Sequence, residues 1–307
     1  MTRKRIADER PVHRDALKTG RPGAHWAVPG ALFFALFALV PLGVVIYLSF
    51  TTWKGLGDPQ WTGLTSWQEL FRDRYIPQSV WIMLGLLVAT ICVQLPVAAL
   101  LGTWAAGPQR NRAVLASIYF LPLLLSTAAI AIVWKQLMDP NFGLPAHLKE
   151  LVGGTGDFIG TSHGALITLV MVGAWQYIPF HMLLFQGAVR SIPDVLYQAA
   201  EIDGAGRVRC FFSITLPQLR NTIITSLIFM VVGGLTGFDT VLILTMGGPG
   251  RDTTTTPLLM YFEAFRSYHF GKGSAIAVLL IVVATTVSLL LTRLSGYDRM
   301  ESTKEGV

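Results

Sequence analysis

The chain has 307 residues, of which 52% are hydrophobic and only 14% are charged, and its formal net charge is +6. A soluble domain carries about 25% charged residues, so this composition excludes an ordinary soluble domain and predicts a chain covered by lipid. Its two cysteines make no disulfide framework, and no cluster has metal-ligand spacing. In a soluble protein the positive charge would suggest nucleic acid as a partner, but here it follows membrane topology.

Six apolar stretches are each long enough to cross a bilayer as a helix, which takes about 20 residues. They predict an all-α membrane protein with six transmembrane helices, at about 28–50, 79–106, 114–137, 165–189, 221–246 and 273–296. Pro122 in the third stretch and three glycines in the fifth, Gly233, Gly234 and Gly237, predict breaks. Such breaks fit either a water-lined cavity or ordinary kinks and close helix packing.

Lys and Arg are distributed unequally between the two sets of connections. The N-terminal tail, the second and fourth connections and the C-terminal end carry 16 of them, against 7 in the alternate connections. Basic residues concentrate on the cytoplasmic side, so both termini and the fourth connection (191–220) are predicted to be cytoplasmic. The chain then consists of a poorly ordered basic tail (1–26), one transmembrane domain (27–297) that begins with a retained anchor, and a cytoplasmic tail (298–307).

The sequence of the fourth connection predicts two short helices. Ser191 is expected to cap the first, which holds good helix formers over 195–203. Gly204 can adopt a positive φ and end this helix. A second helix is predicted at about 207–213, stopped by Pro217.

The first of these helices has features suited to a protein partner. Ala199 and Ala200 leave it narrow enough to enter a groove, and Glu201 and Asp203 offer charges to Arg or Lys of a partner. Taken alone, the segment also fits a generic amphipathic helix at the membrane surface.

The spacing of this connection resembles the coupling loop of ABC-importer permeases: Glu-Ala-Ala, three residues, Gly, nine residues, Ile-x-Leu-Pro. The matches are Ala199, Ala200, Gly204, Ile214, Leu216 and Pro217, and Gln198 replaces the leading Glu with the loss of one charge. The resemblance implies that the helix docks into a cytoplasmic ATPase and couples its motion to the transmembrane helices. It implies these ATPase-coupling residues: Gln198, Ala199, Ala200, Glu201, Asp203, Gly204, Leu216 and Pro217.

The chain itself contains no GxxxxGK[ST] phosphate-binding motif. We therefore expect a separate ATPase subunit to bind ATP-Mg, and this chain to carry no cofactor, no metal site and no catalytic residue. An intramembrane enzyme is disfavoured as well, because neither Gly-x-Ser-Gly nor HExxH occurs.

Residues 238–271 are similar to the sugar permeases of the maltose type. In those, Phe-Asp is followed by Leu-Thr-x-Gly-Gly-Pro, a Thr cluster, a Tyr and Ala-Phe, and the matches here are Phe238, Asp239, Leu244, Thr245, Gly247, Gly248, Pro249, Thr254, Thr255, Tyr261, Ala264 and Phe265. The likeness covers about 28–296 and implies the maltose-type ABC permease fold in a bacterial inner membrane. The partners it implies are a second homologous permease, an ATPase dimer and an extracytoplasmic sugar-binding protein. The outer connection (250–272) fits either a docking surface for that protein or a structured cap.

A sugar site needs aromatic faces and fixed polar groups. The candidates for the substrate path are Trp175, Gln176, Tyr177, Phe180, Thr236 and Asp239. By position, Gln176, Tyr177 and Phe180 match residues that line the sugar cavity in the maltose type, whereas Gly234 and Gly237 fall where that type has polar side chains. Each candidate fits a helix–helix hydrogen bond or an aromatic belt equally well. His181, for which the sequence indicates no partner, is predicted to be structural.

Two other cargo mechanisms stay open. One is an ABC permease for glycerol-3-phosphate or another polar solute. A phosphate ligand is expected to require an intramembrane Arg or Lys, and the spans contain only Lys135, near an outer edge. A secondary sugar transporter would usually show inverted repeats and intramembrane carboxylates, of which only Asp239 is present. The sequence therefore favours a neutral di- or oligosaccharide as the cargo of an ATP-driven importer.

Overall fold

The computed structural model describes residues 24–107, 110–145 and 158–294. The predicted tail at 298–307 and nearly all of the one at 1–26 lie outside the described residues. In chain order the elements are α1 (Val28–Ser49), β1 (Thr51–Thr52), β2 (Gln60–Trp61), α2 (Thr65–Arg72), α3 (Tyr75–Ala105), α4 (Arg110–Tyr119), α5 (Leu121–Leu124), α6 (Thr127–Leu137), α7 (Ser162–Arg190), α8 (Asp194–Ile202), α9 (Arg207–Gln218), α10 (Arg220–Thr236), α11 (Asp239–Leu244), α12 (Thr256–Tyr261) and α13 (Phe270–Leu294).

The described helices confirm an all-α membrane protein, with one two-residue β pair. Four of them, α1, α3, α7 and α13, are each long and apolar enough to cross a membrane. Two more candidate spans are bent pairs: the segment Val114–Leu124 meets α6 at 96°, and α9 meets α10 at 67°. The described part of the chain thus has six spans if each bent pair crosses once.

The breaks fall close to the residues that predict them. In the third span the chain is extended at Leu125, three residues after Pro122, and the Ser126 hydroxyl caps α6 by accepting the N–H of Ala129 at 3.2 Å. The fifth predicted span (221–246) is not one helix. Its first part, α10, ends at Thr236 because Gly237 is extended, with ψ 129°.

Internal packing divides the chain at Val44 into two units. The first unit contains most of α1, which includes a π-helical turn at Ala35–Leu39, and the residues of α1 in this unit are not buried. A helix that is apolar on all sides and is not buried within the protein is expected to be surrounded by lipid. The second unit, Val45–Val307, holds the remaining elements and the apolar core.

The core of the second unit is centred on the contact between α3 and α7. Gly102 of α3 lies against α7, where a Cβ would come within 2.5 Å of the Phe185 Cβ and 2.8 Å of the Met182 carbonyl oxygen. Small residues allow this close approach between helix backbones in membranes, where packing rather than water expulsion drives association.

Two side-chain amides also connect α3 and α7. Gln94 Nε2 donates to the Gly173 carbonyl at 3.0 Å, and Gln186 Nε2 donates to the Ala105 carbonyl at 2.9 Å. The earlier residue of α3 contacts the earlier residue of α7, and the later contacts the later. The two helices are therefore parallel and end on the same side. That side also carries the connection with α8 and α9.

The opposite side of the second unit carries the β pair, α2 and the connection between α11 and α13. Within this connection Thr253, Thr254, Thr255 and Thr256 are buried, and Leu258 and Leu259 belong to the core. The connection 250–272, which is predicted to be on the outer side, is therefore structured and packs into the core. That this connection docks the sugar-binding protein stays a prediction.

Candidate functional site

A cavity of about 450 Å³ lies between α3, α6, α7, α10 and α11. We call it the transport cavity, because three residues of the predicted substrate path line it. Its walls are mainly apolar, and a minority of polar side chains face it: Thr90, Gln94, Thr127, Tyr177, His181, Asp239, Thr240 and Thr255. Apolar walls with a few fixed polar groups are the usual make-up of a site for a small organic ligand.

Three of the six predicted substrate-path residues, Tyr177, Phe180 and Asp239, line this cavity. A fourth, Gln176, is buried one step behind the wall, where its Nε2 donates to Thr127 Oγ1 at 3.0 Å. The same Thr127 oxygen lies 3.2 Å from the Tyr177 hydroxyl. Gln176 is thus joined to the wall through Thr127, and its Oε1 is buried without a partner among the described residues.

The structure does not bring Trp175 and Thr236 to the transport cavity. Successive helix residues point about 100° apart, so Trp175 faces away from Tyr177 on α7 and instead packs edge-on against Trp134, with ring centroids 5.6 Å apart. Thr236 is exposed, and its hydroxyl donates to the Val232 carbonyl of its own helix at 2.8 Å.

Sequence reasoning missed several polar residues of the cavity. Gln94 and Thr90 on α3 line it, as does Thr127 at the start of α6. An amide inside an apolar span is a signal that could have found Gln94, since intramembrane polar residues usually face the protein interior. Ser226 went unrecognised as the partner of His181, whose Nδ1 it meets at 2.8 Å. This bond fits the predicted structural role of His181.

Glycines form one wall where α10 breaks. Gly233, Gly234 and Gly237 all line the cavity. A Cβ on Gly234 would come within 2.6 Å of Leu87 Cδ1, whereas the space beside Gly233 is open. The missing side chains therefore widen the cavity at the point where the helix is interrupted.

The transport cavity has an acidic, not a basic, lining. Asp239 is exposed at the first residue of α11, and the described lining residues include neither Lys nor Arg. Lys135 is not among them. An anionic ligand would therefore meet a carboxylate and no fixed positive charge.

The coupling loop begins differently from its prediction. Pro193, not Ser191, occupies the position before α8 and makes no side-chain cap, while the Ser191 hydroxyl donates back to the Ala188 carbonyl at 2.7 Å. The capping prediction was wrong because the last turn of α7 competes for this hydroxyl. Asp194 still supplies a carboxylate to the first turn of α8, where the helix dipole favours it.

The end of α8 follows its prediction. Gly204 has φ +70°, its N–H donates to the Glu201 carbonyl at 3.0 Å, and the Ala205 N–H donates to the Ala200 carbonyl at 2.8 Å. This pair of bonds is the Schellman ending, which requires a left-handed residue at the glycine position. Gly204 therefore fixes the sharp turn after the helix.

The second helix of the loop is longer than predicted. It continues through a π-helical turn at Phe211–Thr215 and past Pro217, and ends at Gln218. Pro217 sits where a helical segment restarts after the wide turn, so its missing N–H breaks no regular ladder. Tyr197 and Thr215, whose hydroxyls are 2.9 Å apart, join the two helices of the loop.

An apolar surface on the coupling loop is uncovered. Ile202 is 88% exposed, Val208 72% and Val195 66%. Of the predicted coupling residues, Gln198, Ala199, Glu201, Asp203, Gly204 and Pro217 are exposed, and Ala200 and Leu216 are half-buried.

A bundle of candidate membrane helices around a mostly apolar cavity, with an exposed helical loop on one side, is the arrangement expected of a membrane permease. Residues 98–296 match the family of binding-protein-dependent transport system inner membrane components, and the chain belongs to this family. It is thus a permease subunit of an ABC importer. The predicted coupling loop lies inside the matched residues.

Curated relatives cover most of the chain. The multiple sugar-binding transport permease MsmF of Streptococcus mutans is 31% identical over 85% of this chain and 90% of its own. The diacetylchitobiose uptake permease NgcF of Streptomyces coelicolor is 29% identical over 92% and 85%. The sn-glycerol-3-phosphate permease UgpA of Yersinia pseudotuberculosis is 28% identical over 87% and 91%.

A solved structure shares the fold. A bacterial alginate ABC transporter, in complex with its alginate pentasaccharide-bound periplasmic protein, contains a chain that superposes with a TM-score of 0.79 at 20% identity, over 92% of this chain and 95% of the other. The likeness confirms the permease fold that the sequence resemblance implies.

Proposed function

We propose that this chain forms part of the translocation path of a carbohydrate importer. It pairs with a second homologous permease, two ATPase subunits that bind ATP-Mg, and an extracytoplasmic sugar-binding protein. The family membership supports dependence on a binding protein. The names of MsmF and NgcF support a sugar as cargo. This chain supplies neither cofactor nor catalytic residue.

The transport cavity is the proposed place where sugar passes. Phe180 and Phe229 stand edge to face with centroids 5.5 Å apart, and both line the cavity together with Tyr177. Aromatic faces suit the C–H surfaces of a sugar ring, and the Thr, Tyr and Gln groups suit its hydroxyls. Gln176 acts through Thr127, whereas Trp175 and Thr236 are left outside the path.

The second candidate cargo, glycerol-3-phosphate, is favoured by the similarity to UgpA. The lining argues against it, because Asp239 is its charged residue and the described lining contains no Lys or Arg. A phosphate dianion beside a carboxylate, with no Lys or Arg in the described lining to offset it, is repelled. A neutral di- or oligosaccharide therefore fits better. Uptake of labelled sugar, challenged with an excess of glycerol-3-phosphate, separates the two cargoes.

The observation that carries the coupling role is the uncovered apolar surface of α8 and α9. Ile202, 88% exposed, lies in a connection on the predicted cytoplasmic side, away from the lipid-covered spans. Seating this surface in a cleft of the ATPase buries it, and Glu201 and Asp203 then meet basic residues at the rim. With this side cytoplasmic, both chain termini are cytoplasmic as well.

The test uses the reconstituted complex with its binding protein and sugar. Gly204→Val forces a β-branched residue into φ +70°, a left-handed conformation that costs an ordinary residue about 1–2 kcal/mol. Gly204→Asn is the matched control, because Asn tolerates this conformation. We expect Gly204→Val to lose most sugar-stimulated ATPase activity and uptake while the complex still assembles, and Gly204→Asn to keep most of both. Uptake that continues without ATP hydrolysis would instead identify a gradient-driven carrier.

A further inference from the structure

His181 of α7 is a buried side chain that also lines the transport cavity. It is only 4% exposed, and its Nδ1 lies 2.8 Å from the hydroxyl oxygen of Ser226 on α10. This bond holds the ring between the two helices and uses one of its two nitrogens. The other nitrogen, Nε2, is not needed for that structural role.

Nε2 of His181 opens onto the transport cavity. It has no hydrogen-bond partner in the part of the chain that the structure describes. Nor is it enclosed by protein atoms, as the unpaired hydroxyl of Thr255 is. An unpaired atom that is not enclosed borders open space, and the open space that His181 lines is the transport cavity. A group that binds Nε2 therefore comes from this cavity.

The hydrogen-bond partners assign the imidazole proton to Nε2. Ser226 is fully buried, and within the described residues the His181 ring is the sole partner of its hydroxyl. A buried donor that lacks an acceptor is costly, so Ser226 donates its one proton to Nδ1. A neutral ring that accepts at Nδ1 has its own proton on Nε2, and a doubly protonated ring has one there as well. Nε2 is thus a donor in either state.

This donor stands beside aromatic rings. Phe180 is edge-on to His181 with centroids 5.1 Å apart, and edge to face with Phe229 at 5.5 Å. An aromatic face next to a fixed N–H suits a sugar ring, which offers C–H bonds to the one and an oxygen to the other. Asp239, an acceptor, lies further towards the side opposite the coupling loop, because α10 continues for ten residues beyond Ser226, about 15 Å, before it ends.

We propose that His181 binds the cargo. Its Nε2–H donates to a hydroxyl or acyl oxygen of the sugar at the end of the transport cavity nearer the coupling loop, and Ser226 is the positioning residue that fixes the tautomer. The assignment rests on the proposed function, because it takes the transport cavity as the sugar path. The cavity then selects a cargo with an acceptor oxygen at the His181 end and a donor at the Asp239 end.

Two substitutions separate the roles of the two ring nitrogens. His181→Asn places an amide near the position of Nδ1, where its oxygen accepts from Ser226, and leaves nothing at Nε2. His181→Gln places an amide nitrogen near the position of Nε2 and leaves Ser226 unpaired. We expect His181→Asn to lower the maximal rate of sugar uptake about fivefold, the factor for one lost hydrogen bond, with sugar-independent ATPase activity and the unfolding midpoint retained. His181→Gln should keep more of the uptake at a lower unfolding midpoint.

Uptake is measured on the reconstituted complex with its binding protein, and the probes are labelled maltose, cellobiose, melibiose and diacetylchitobiose. His163→Asn, on the same helix outside the cavity lining, is the matched control and should keep full uptake. Uptake that His181→Asn leaves unchanged and His181→Gln abolishes would overturn the assignment in favour of a purely structural histidine. Wild-type uptake of none of the four sugars would overturn the proposed function, and the assignment with it.

The tautomer has its own measurement. In nitrogen-15 spectra of the histidine-labelled complex, the signal that His181→Asn removes should show a protonated Nε2 and an unprotonated Nδ1. Ser226→Ala should add the form with the proton on Nδ1, which a merely space-filling role of Ser226 would not do. A wild-type ring with its proton on Nδ1 alone would overturn the proposal, since Nε2 would then be an acceptor.

Discussion

The ammonium nitrogen of Lys272 lies 2.6 Å from a carboxylate oxygen of Asp73, which joins the first turn of α13 to the short link between α2 and α3. The two side chains are only 13% and 12% exposed. Lys272 also contacts Glu263 at 3.1 Å, in the turn after α12. This ion-pair cluster (Asp73, Glu263 and Lys272) therefore holds together three segments of the side opposite the coupling loop.

Removing the cation should destabilise this side of the protein. Lys272→Met leaves two poorly solvated carboxylates without their shared partner, and hydrogen bonds to charged groups contribute about 1.5–3 kcal/mol each. We expect a clearly lower thermal unfolding midpoint in detergent. The control Lys54→Met changes an exposed lysine on the same side and should leave the midpoint nearly unchanged. Equal midpoints for the two variants would show that the cluster contributes nothing net.

The same cluster should give stability an acid limit. Burial raises the pKa of the Asp73 carboxyl, but the hydrogen bonds from Lys272 and the Tyr75 backbone, with the nearby positive charges, outweigh it and hold the pKa below its usual 3.8. A depressed carboxyl pKa contributes stability above the unfolded-state value, which is lost as pH falls through the folded-state value. Unfolding midpoints of wild type should therefore converge on those of Asp73→Asn as pH drops below about 4. A gap that stays constant with pH would contradict this.

The close contact of α3 and α7 should not accept even a methyl group. Gly102→Ala places a Cβ at 2.5 Å from Phe185 Cβ and 2.8 Å from a backbone oxygen, so the helices must separate, at a cost of about 1–3 kcal/mol. Gly85→Ala, on the same helix with open space beside it, should be neutral or stabilising because Ala is the better helix former. Unfolding midpoints of the two variants measure the difference, and a destabilised Gly85→Ala would assign it to the helix backbone.

Filling the glycine wall should obstruct transport. Gly233 faces open space in the transport cavity, so Gly233→Phe fits sterically and occupies part of the 450 Å³. We expect sugar uptake to fall by about tenfold or more while assembly and the coupling loop stay intact, because the added ring takes the place of substrate. Gly85→Phe, outside the cavity, is the matched control. Unchanged uptake in Gly233→Phe would move the substrate path elsewhere.

Features that depend on the local sequence alone were predictable. Features for which neighbouring segments compete were not. Gly204 has the φ that its place in the loop predicts, because only its own backbone decides that turn. Ser191 was expected to cap α8, yet its hydroxyl is taken by the end of α7. Trp175 and Tyr177 looked alike in sequence, and only the rotation of α7 against α3 and α6 places Tyr177 at the transport cavity and Trp175 against Trp134.

The two hydrogen bonds that the side-chain amides of Gln94 and Gln186 donate between α3 and α7 oppose sliding of one helix along the other. Gln94 holds Gly173 near the cavity, and Gln186 holds Ala105 near the coupling loop. Only three residues separate the end of α7 from the start of α8. A force on the coupling loop would therefore act on the joined helices α3 and α7 and not on α7 alone. We therefore predict that a displacement of the coupling loop also displaces the cavity wall at Tyr177.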